Sequence, residues 1–187
     1  MTALVECIPN ISEGRDAAVV AAVASAAASA PGCALLDIHS DPWHHRSVIT
    51  LAGPPEAVLE GAFRLVRAAR DRIDLSRHEG QHPRIGAVDV VPFTPLGGLR
   101  DDDAVALARA LATRVRAELD IPVVLYALAA ERPEDRRLGD LRRRSWPDAH
   151  PTAGVTAVGA RRPLAAYNVN LDSGDVAIAR RIAATLR

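Results

Sequence analysis

The chain has 187 residues, of which 49% are hydrophobic, 25% charged and only 3% aromatic. That length suits one compact domain, residues 1–187, burying roughly 70% of its unfolded surface around a core of Ala, Val, Leu and Ile. Its 23 basic and 23 acidic side chains cancel, which removes any global field that would gather nucleic acid or an anionic membrane. The two cysteines, Cys7 and Cys33, make neither a disulfide framework nor a metal spacing, which points to a reducing cytoplasm. No signal peptide opens the chain, and no apolar run approaches the roughly 18 residues of a spanning helix.

In chain order, a β-prone run from Ala3 to Ile8 ends at Pro9-Asn10, and an alanine-rich helix from Asp16 to Ala30 stops at Pro31-Gly32. Strands follow at Cys33–His39 and Arg46–Ala52. Pro54 then opens a helix with Val58, Ala62, Leu65, Val66, Ala69 and Ile73 along one face. Gly86–Phe93 reads as a fourth strand. This β-α-β-β-α-β order predicts an α/β (α+β) fold with a ferredoxin-like split-βαβ core. An extra helix and strands extend it: Asp101-Asp102-Asp103 cap a helix with the stripe Leu107, Leu111, Val115 and Leu119. Strands are predicted at Ile121–Leu128 and Leu164–Leu171, and Asp172-Ser173 cap a last helix. The charged stretch Glu131–Pro151 reads as irregular, its arginine runs on a solvated face rather than an RNA patch.

Between the second helix and the fourth strand stands Ser76-Arg77-His78-Glu79-Gly80-Gln81-His82-Pro83-Arg84-Ile85-Gly86. Its centre fits H-E-x-x-H, but that pattern grips zinc only from a helix face. Gly80 weakens a helix by roughly 1 kcal/mol and Pro83 disfavours helical backbone at His82, so the motif belongs on a loop. Strand parity offers a second clue. Glu6, Asp37 and His39, Asp89, and Asn168 and Asn170 fall at mid-strand positions, while Val5 and Cys7, Leu36 and Ile38, Val88 and Val90, and Val169 and Leu171 point the opposite way. An open sheet face with Glu, Asp, His and Asn makes a ligand floor; a sheet with one face in water has the same pattern.

Four blocks in order, LVECIPNISEG (Leu4–Gly14), PGCALLD (Pro31–Asp37), SRHEGQHPRIGAVDVVPFTPL (Ser76–Leu96) and GARRPLAAYNVNL (Gly159–Leu171), resemble the N-terminal subdomain of glutamate formiminotransferase, the transferase part of formiminotransferase–cyclodeaminase. The resemblance implies transfer of a formimino group between N-formiminoglutamate and tetrahydrofolate, the folate acting as co-substrate and no metal taking part. It implies that His82 is the catalytic acid/base, a role that suits imidazole because one nitrogen must lose a proton and another gain one. His78 reads as structural. It also implies a folate-contacting segment of Gly159, Ala160, Arg161, Arg162, Pro163, Leu164, Ala165, Ala166, Tyr167 and Asn168. In that segment Gly159 permits close backbone approach, Arg161 or Arg162 meets a polyanionic tail, and Tyr167 offers a ring face.

Three departures qualify these expectations. The family has a second subdomain, so a homodimer partner or a second subunit is expected to supply the other wall. The stretch Arg132–Thr152 is shorter than its family equivalent. His39 stands where the family has an acid and His45 where it has Asn. Two alternatives therefore stay open: a non-catalytic folate-binding or partner subunit, and a metal-binding protein using His39, His44, His45, His78 and His82.

Overall fold

The computed structural model describes residues 3–165, 169 and 171–186. Its centre is a seven-stranded mixed sheet of β1 (Leu4–Cys7), β2 (Asn10–Ile11), β3 (Ala34–Asp41), β4 (Arg46–Gly53), β5 (Val88–Leu96), β6 (Val123–Ala127) and β7 (Thr156–Ala160). β3 pairs with β4. β1 and β2 lie end to end between β4 and β5, all these pairings being antiparallel. β5, β7 and β6 then continue the sheet in parallel. The result is the expected α+β class, with the third helix connecting β5 to β6.

Three helices cover one face: α1 (Ala17–Ala28), α2 (Pro55–Arg70) and α3 (Asp101–Leu119). Each starts where its local chemistry directs. Asp16 caps α1 by accepting from Ala18 N and Val19 N (2.9 and 3.1 Å), Pro55 opens α2, and Asp103 accepts from Arg100 N (2.8 Å) at the start of α3. The predicted stripes Val58, Ala62, Leu65, Val66, Ala69 and Leu107, Leu111, Val115, Leu119 are buried against Val5, Cys7, Ile49, Leu51, Val91 and Phe93.

The second face is covered over only part of its width. Residues 131–152 are not merely irregular: a 3-10 turn at Pro133–Asp135 and the short helix α4 (Leu138–Leu141) bring Leu138, Leu141 and Trp146 down onto Ile85, Val90, Val124, Tyr126, Val155 and Ala157. Nor are their arginines all solvated. Arg142 is only 14% exposed, ion-paired to Asp89, and Arg144 holds the buried Asp135 at 2.6 Å. Over β3 and β4 the second face stays open. There His39 pairs with Val48, Val48 with Asn10, and Asn10 with Val90, a single row crossing from the bare half to the covered half.

Four further expectations are corrected. The strand after α4 is Thr156–Ala160, not Leu164–Leu171: residues 164–165, 169 and 171 are irregular, and Ala166, Tyr167, Asn168 and Asn170 lie outside the described residues. Asp89, expected on the open floor, is 2% exposed beneath Arg142. Leu36 and Ile38, expected on the face opposite that floor, are 60% and 38% exposed, because the register of β3 shifts between Leu35 and Asp37 at the sheet's margin. The last helix, α5 (Val176–Thr185), begins after Asp175, which accepts from Ala177 N (2.8 Å), rather than after Asp172-Ser173, and none of its residues is buried. Among the described residues no helix is long and apolar enough to cross a membrane.

Candidate functional site

The loop carrying His78 and His82 is built around one side chain. A 3-10 turn at Leu75–Arg77 ends at His78, whose φ of −86° and ψ of 129° are extended, so the two histidines do not share a helix face and a zinc-protease geometry is absent. Arg84 supplies the order instead. Its Nε and Nη2 donate to the His82 carbonyl (2.9 and 2.7 Å), and Nη2 also donates to the His44 carbonyl (2.8 Å). Its Nη1 donates to the His45 carbonyl (3.0 Å) and to Nε2 of His78. All five guanidinium N–H groups are thereby used, every one on a neutral acceptor. The loop seats this closely because position 80 has no side chain: a Cβ there would stand 2.8 Å from the His44 carbonyl oxygen and 2.9 Å from Cβ of His45.

The β3–β4 hairpin tip makes the other wall. His45 adopts a left-handed backbone (φ 49°), its ring tilts over His78 with centroids 4.1 Å apart, and its Nδ1 accepts from Gly14 N (3.2 Å) near Glu13 Oε1 (3.3 Å). Glu13 in turn accepts from the backbone N–H groups of Gly14, Arg15 and Asp16. His44 bonds Asp41 Oδ2 (2.5 Å) and lies edge-on to His82, centroids 6.3 Å apart. His78 therefore packs between the His45 ring and the Arg84 guanidinium.

His82 differs from its neighbours. Its carbonyl is held by Arg84, while its ring has no hydrogen-bond partner among the described residues. Burial, then the positive charges of Arg46, Arg142 and Arg84, push its pKa down to about 4, with Asp89 opposing them; the imidazole is neutral near pH 7. His78 is also pushed to about 4, chiefly by burial and by Arg84. His45 moves in the same direction, chiefly by burial.

The three guanidiniums around His82 are not equivalent. Arg142 is compensated by Asp89, through Nε to Oδ2 (3.1 Å) and a closer Nη2 contact, while Asp89 Oδ1 accepts from Ile85 N (2.8 Å). Arg84 is saturated by carbonyls and His78. Arg46, the first residue of β4, bonds the amide oxygen of Asn10 through Nη2, and its Nε is buried with no acceptor among the described residues. His39 lies apart from this cluster, exposed on β3. Among the described residues no three His, Cys, Asp or Glu side chains converge as a metal-holding group, so His39, His44, His45, His78 and His82 are not gathered into one ligand set.

The second predicted segment lies toward the other end of the central strands. Gly159 and Ala160 are buried in β7, and the space a side chain would need at 159 is filled by the Tyr126 ring, 2.5 Å from a built Cβ. Arg161 N donates to the Phe93 carbonyl (2.9 Å), and Arg162 is tied to Asp101 (2.9 Å) at the start of α3. Arg161, Arg162, Pro163 and Leu164, with Leu128 and Arg136, line a cavity of about 630 Å³. Ala165 is exposed beside it, while Ala166, Tyr167 and Asn168 fall outside the described residues. From Asp89 to Phe93 along β5 is about 13 Å at 3.3 Å per residue, so the His82 cluster and this cavity mark two stations on one sheet.

Sequence reasoning missed Arg46, Asn10 and the Asp89–Arg142 pair as members of the cluster. The available signal was the coincidence of a polar residue inside an apolar strand at Asp89 with an arginine in the following excursion.

Residues 4–150 match the family described as formiminotransferase domain, N-terminal subdomain. Among curated relatives, a glutamate formimidoyltransferase from Streptococcus pyogenes serotype M1 is 44% identical over 205 aligned residues, covering 100% of this chain and 69% of the relative. A glutamate formimidoyltransferase from Thermoplasma acidophilum is 41% identical, covering 98% of this chain and 67% of the relative. The formimidoyltransferase-cyclodeaminase of Sus scrofa is 44% identical over 100% of this chain, which spans 38% of that longer protein. With the family's subdomain matched from β1 through β6, the His82 loop and the hairpin wall included, the chain belongs to the formiminotransferase family.

Proposed function

We propose that this protein transfers a formimino group from N-formiminoglutamate to N5 of tetrahydrofolate, with His82 as general acid/base. The observation that carries the reading is the placement of His82: partly buried, its ring without a hydrogen-bond partner among the described residues and its backbone clamped by Arg84. N5 attacks the amidine carbon and loses a proton, which His82 accepts. The bond from that carbon to the glutamate nitrogen then breaks, and the leaving nitrogen receives the proton back from His82. No net proton is consumed in this exchange, which is why one group serves both steps.

The folate is proposed to run along the sheet from His82 to the segment Gly159–Asn168, with Arg161 and Arg136 facing its anionic tail at the far cavity. Residues 1–187 act in this reading as one N-terminal-subdomain-like unit of a cytoplasmic enzyme, and a second copy or a second subunit covers the bare half of the sheet. The test is formimino transfer with purified protein beside His82→Ala. Loss of turnover by roughly 10²- to 10⁴-fold, with melting temperature and affinity for 5-formyl-tetrahydrofolate retained, supports the reading. Folate binding with no turnover in the unsubstituted protein selects a non-catalytic folate-binding subunit instead; no binding at all overturns both.

A further inference from the structure

Within the transferase reading, on which this inference rests, we infer that Arg46 is the carboxylate anchor of the site, taking one carboxylate of the formimino donor through its guanidinium beside His82. The argument is one of elimination among guanidiniums. An arginine attracts a carboxylate when it has donors to spare and a charge not already neutralised. Arg84 has spent all five donors on the carbonyls of His44, His45 and His82 and on His78, and serves the loop's shape. Arg142 is ion-paired with Asp89. Arg15 is exposed and donates to the Pro42 carbonyl (3.0 Å).

Arg46 is different on both counts. Among the described residues its guanidinium bonds only the neutral amide of Asn10, through Nη2; Nε is sealed from solvent without an acceptor, and Nη1 has no partner. The carboxylates that act on it electrostatically are Asp89 and Asp41, and both have other partners: Asp89 holds Arg142 and the Ile85 N–H, while Asp41 holds His44. A partly buried cation without a counter-ion is costly. A ligand carboxylate at the unpartnered Nη1 supplies that counter-ion. The donor molecule has two carboxylates close to the amidine, so anchoring one at Arg46 brings the reacting carbon to His82.

The same placement gives the anchor a second effect. The charged groups acting on His82 are Arg46, Arg142 and Arg84 on the positive side and Asp89 on the negative side. A carboxylate on Arg46 shifts that balance toward neutrality and raises the proton affinity of the imidazole when the donor is bound. The free site then holds a weak base, and the donor-loaded site a stronger one.

Two measurements decide the inference. In steady-state transfer assays, Arg46→Gln is expected to raise KM for N-formiminoglutamate roughly 10- to 100-fold while KM for tetrahydrofolate stays within about twofold, with Arg46→Lys intermediate. Equal loss toward both substrates, or an unchanged donor KM, overturns it. In the second, the His82 ring is titrated by NMR with and without glutarate, a dicarboxylate that lacks the reacting nitrogen. Glutarate is expected to raise the His82 midpoint in the unsubstituted protein and to leave it unmoved in Arg46→Gln; a midpoint insensitive to glutarate in the unsubstituted protein overturns the inference. This arm needs no turnover, so absence of transferase activity defeats the functional reading while the carboxylate site is still decided. Should Arg46→Gln fail to fold, the Arg46 Nε–H resonance of the unsubstituted protein reports directly: a shift on adding glutarate supports the anchor, and no shift overturns it.

Discussion

The two halves of the second sheet face are built on opposite plans. Over β5, β7 and β6, residues 131–152 lay down Leu138, Leu141 and Trp146 and bury an ion pair, Asp89–Arg142, beneath them. Over β3 and β4 nothing comparable is laid down by the described residues, and Asp37 and His39 face outward. His82, Arg46 and Asn10 stand at the seam between the two. The covered side withdraws water and strengthens every charge interaction; the bare side leaves room for a ligand to arrive. The depressed pKa of His82 follows from that boundary position.

The comparison breaks most visibly at Asp89. Asp89→Asn keeps the acceptor for the Ile85 N–H but leaves Arg142 buried and uncompensated, so a loss of about 3 kcal/mol in denaturant unfolding is expected. A cost near zero would mean the covered half is more hydrated than its packing implies.

A second, smaller effect is pH-dependent. His78 and His82 have folded-state pKa values near 4 against about 6.5 unfolded, so between those values the unfolded chain binds more protons. Stability is fully present above about pH 6.5 and falls as pH drops toward 4. The carboxylates with lowered pKa, Asp41, Glu60 and Asp135, contribute only lower in that range, since their stabilisation is lost as they protonate. Melting curves between pH 6.5 and 5 therefore isolate the histidines. Replacing His78 and His82 together by Gln should remove the larger part of the slope, and an unchanged slope would place the coupling elsewhere.

The smallest effect belongs to the bare half. His39→Ala removes an exposed side chain on an open face, and a change within about 0.5 kcal/mol is expected. A larger loss would show that His39 is covered in solution, by a second copy or another subunit.

Much of this architecture is legible in the residues themselves. α1, α2 and α3 carry their stripes and caps openly, and β3 to β6 sit between clear turn signals. β7 does not. Thr-Ala-Val-Gly-Ala is short and buried between two parallel neighbours, so it shows no alternation, whereas Leu164–Leu171 alternates well and attracts the assignment. The glycine that looks like a strand breaker at 159 is there because Tyr126 occupies its side-chain space. At the site, His82 is readable from its motif. The ranking of the three arginines around it is not, because it depends on which donors are spent, and those contacts join residues 36 to 53 positions apart.

Arg84 ties the loop of residues 78–84 to carbonyls 39 and 40 positions earlier in the chain. That loop has no helix or strand of its own to hold it, so it cannot take its shape before the β3–β4 hairpin has closed. The site is therefore a late product of folding, assembled only after long-range closure has been achieved. It is also the first part to come undone: fraying of the hairpin tip around Pro42–His45 releases both carbonyls and lets His82 swing free while the helical layer stays intact. The order of this loop and global foldedness are thus separable in this chain, and warming is expected to loosen the loop before the helical layer melts.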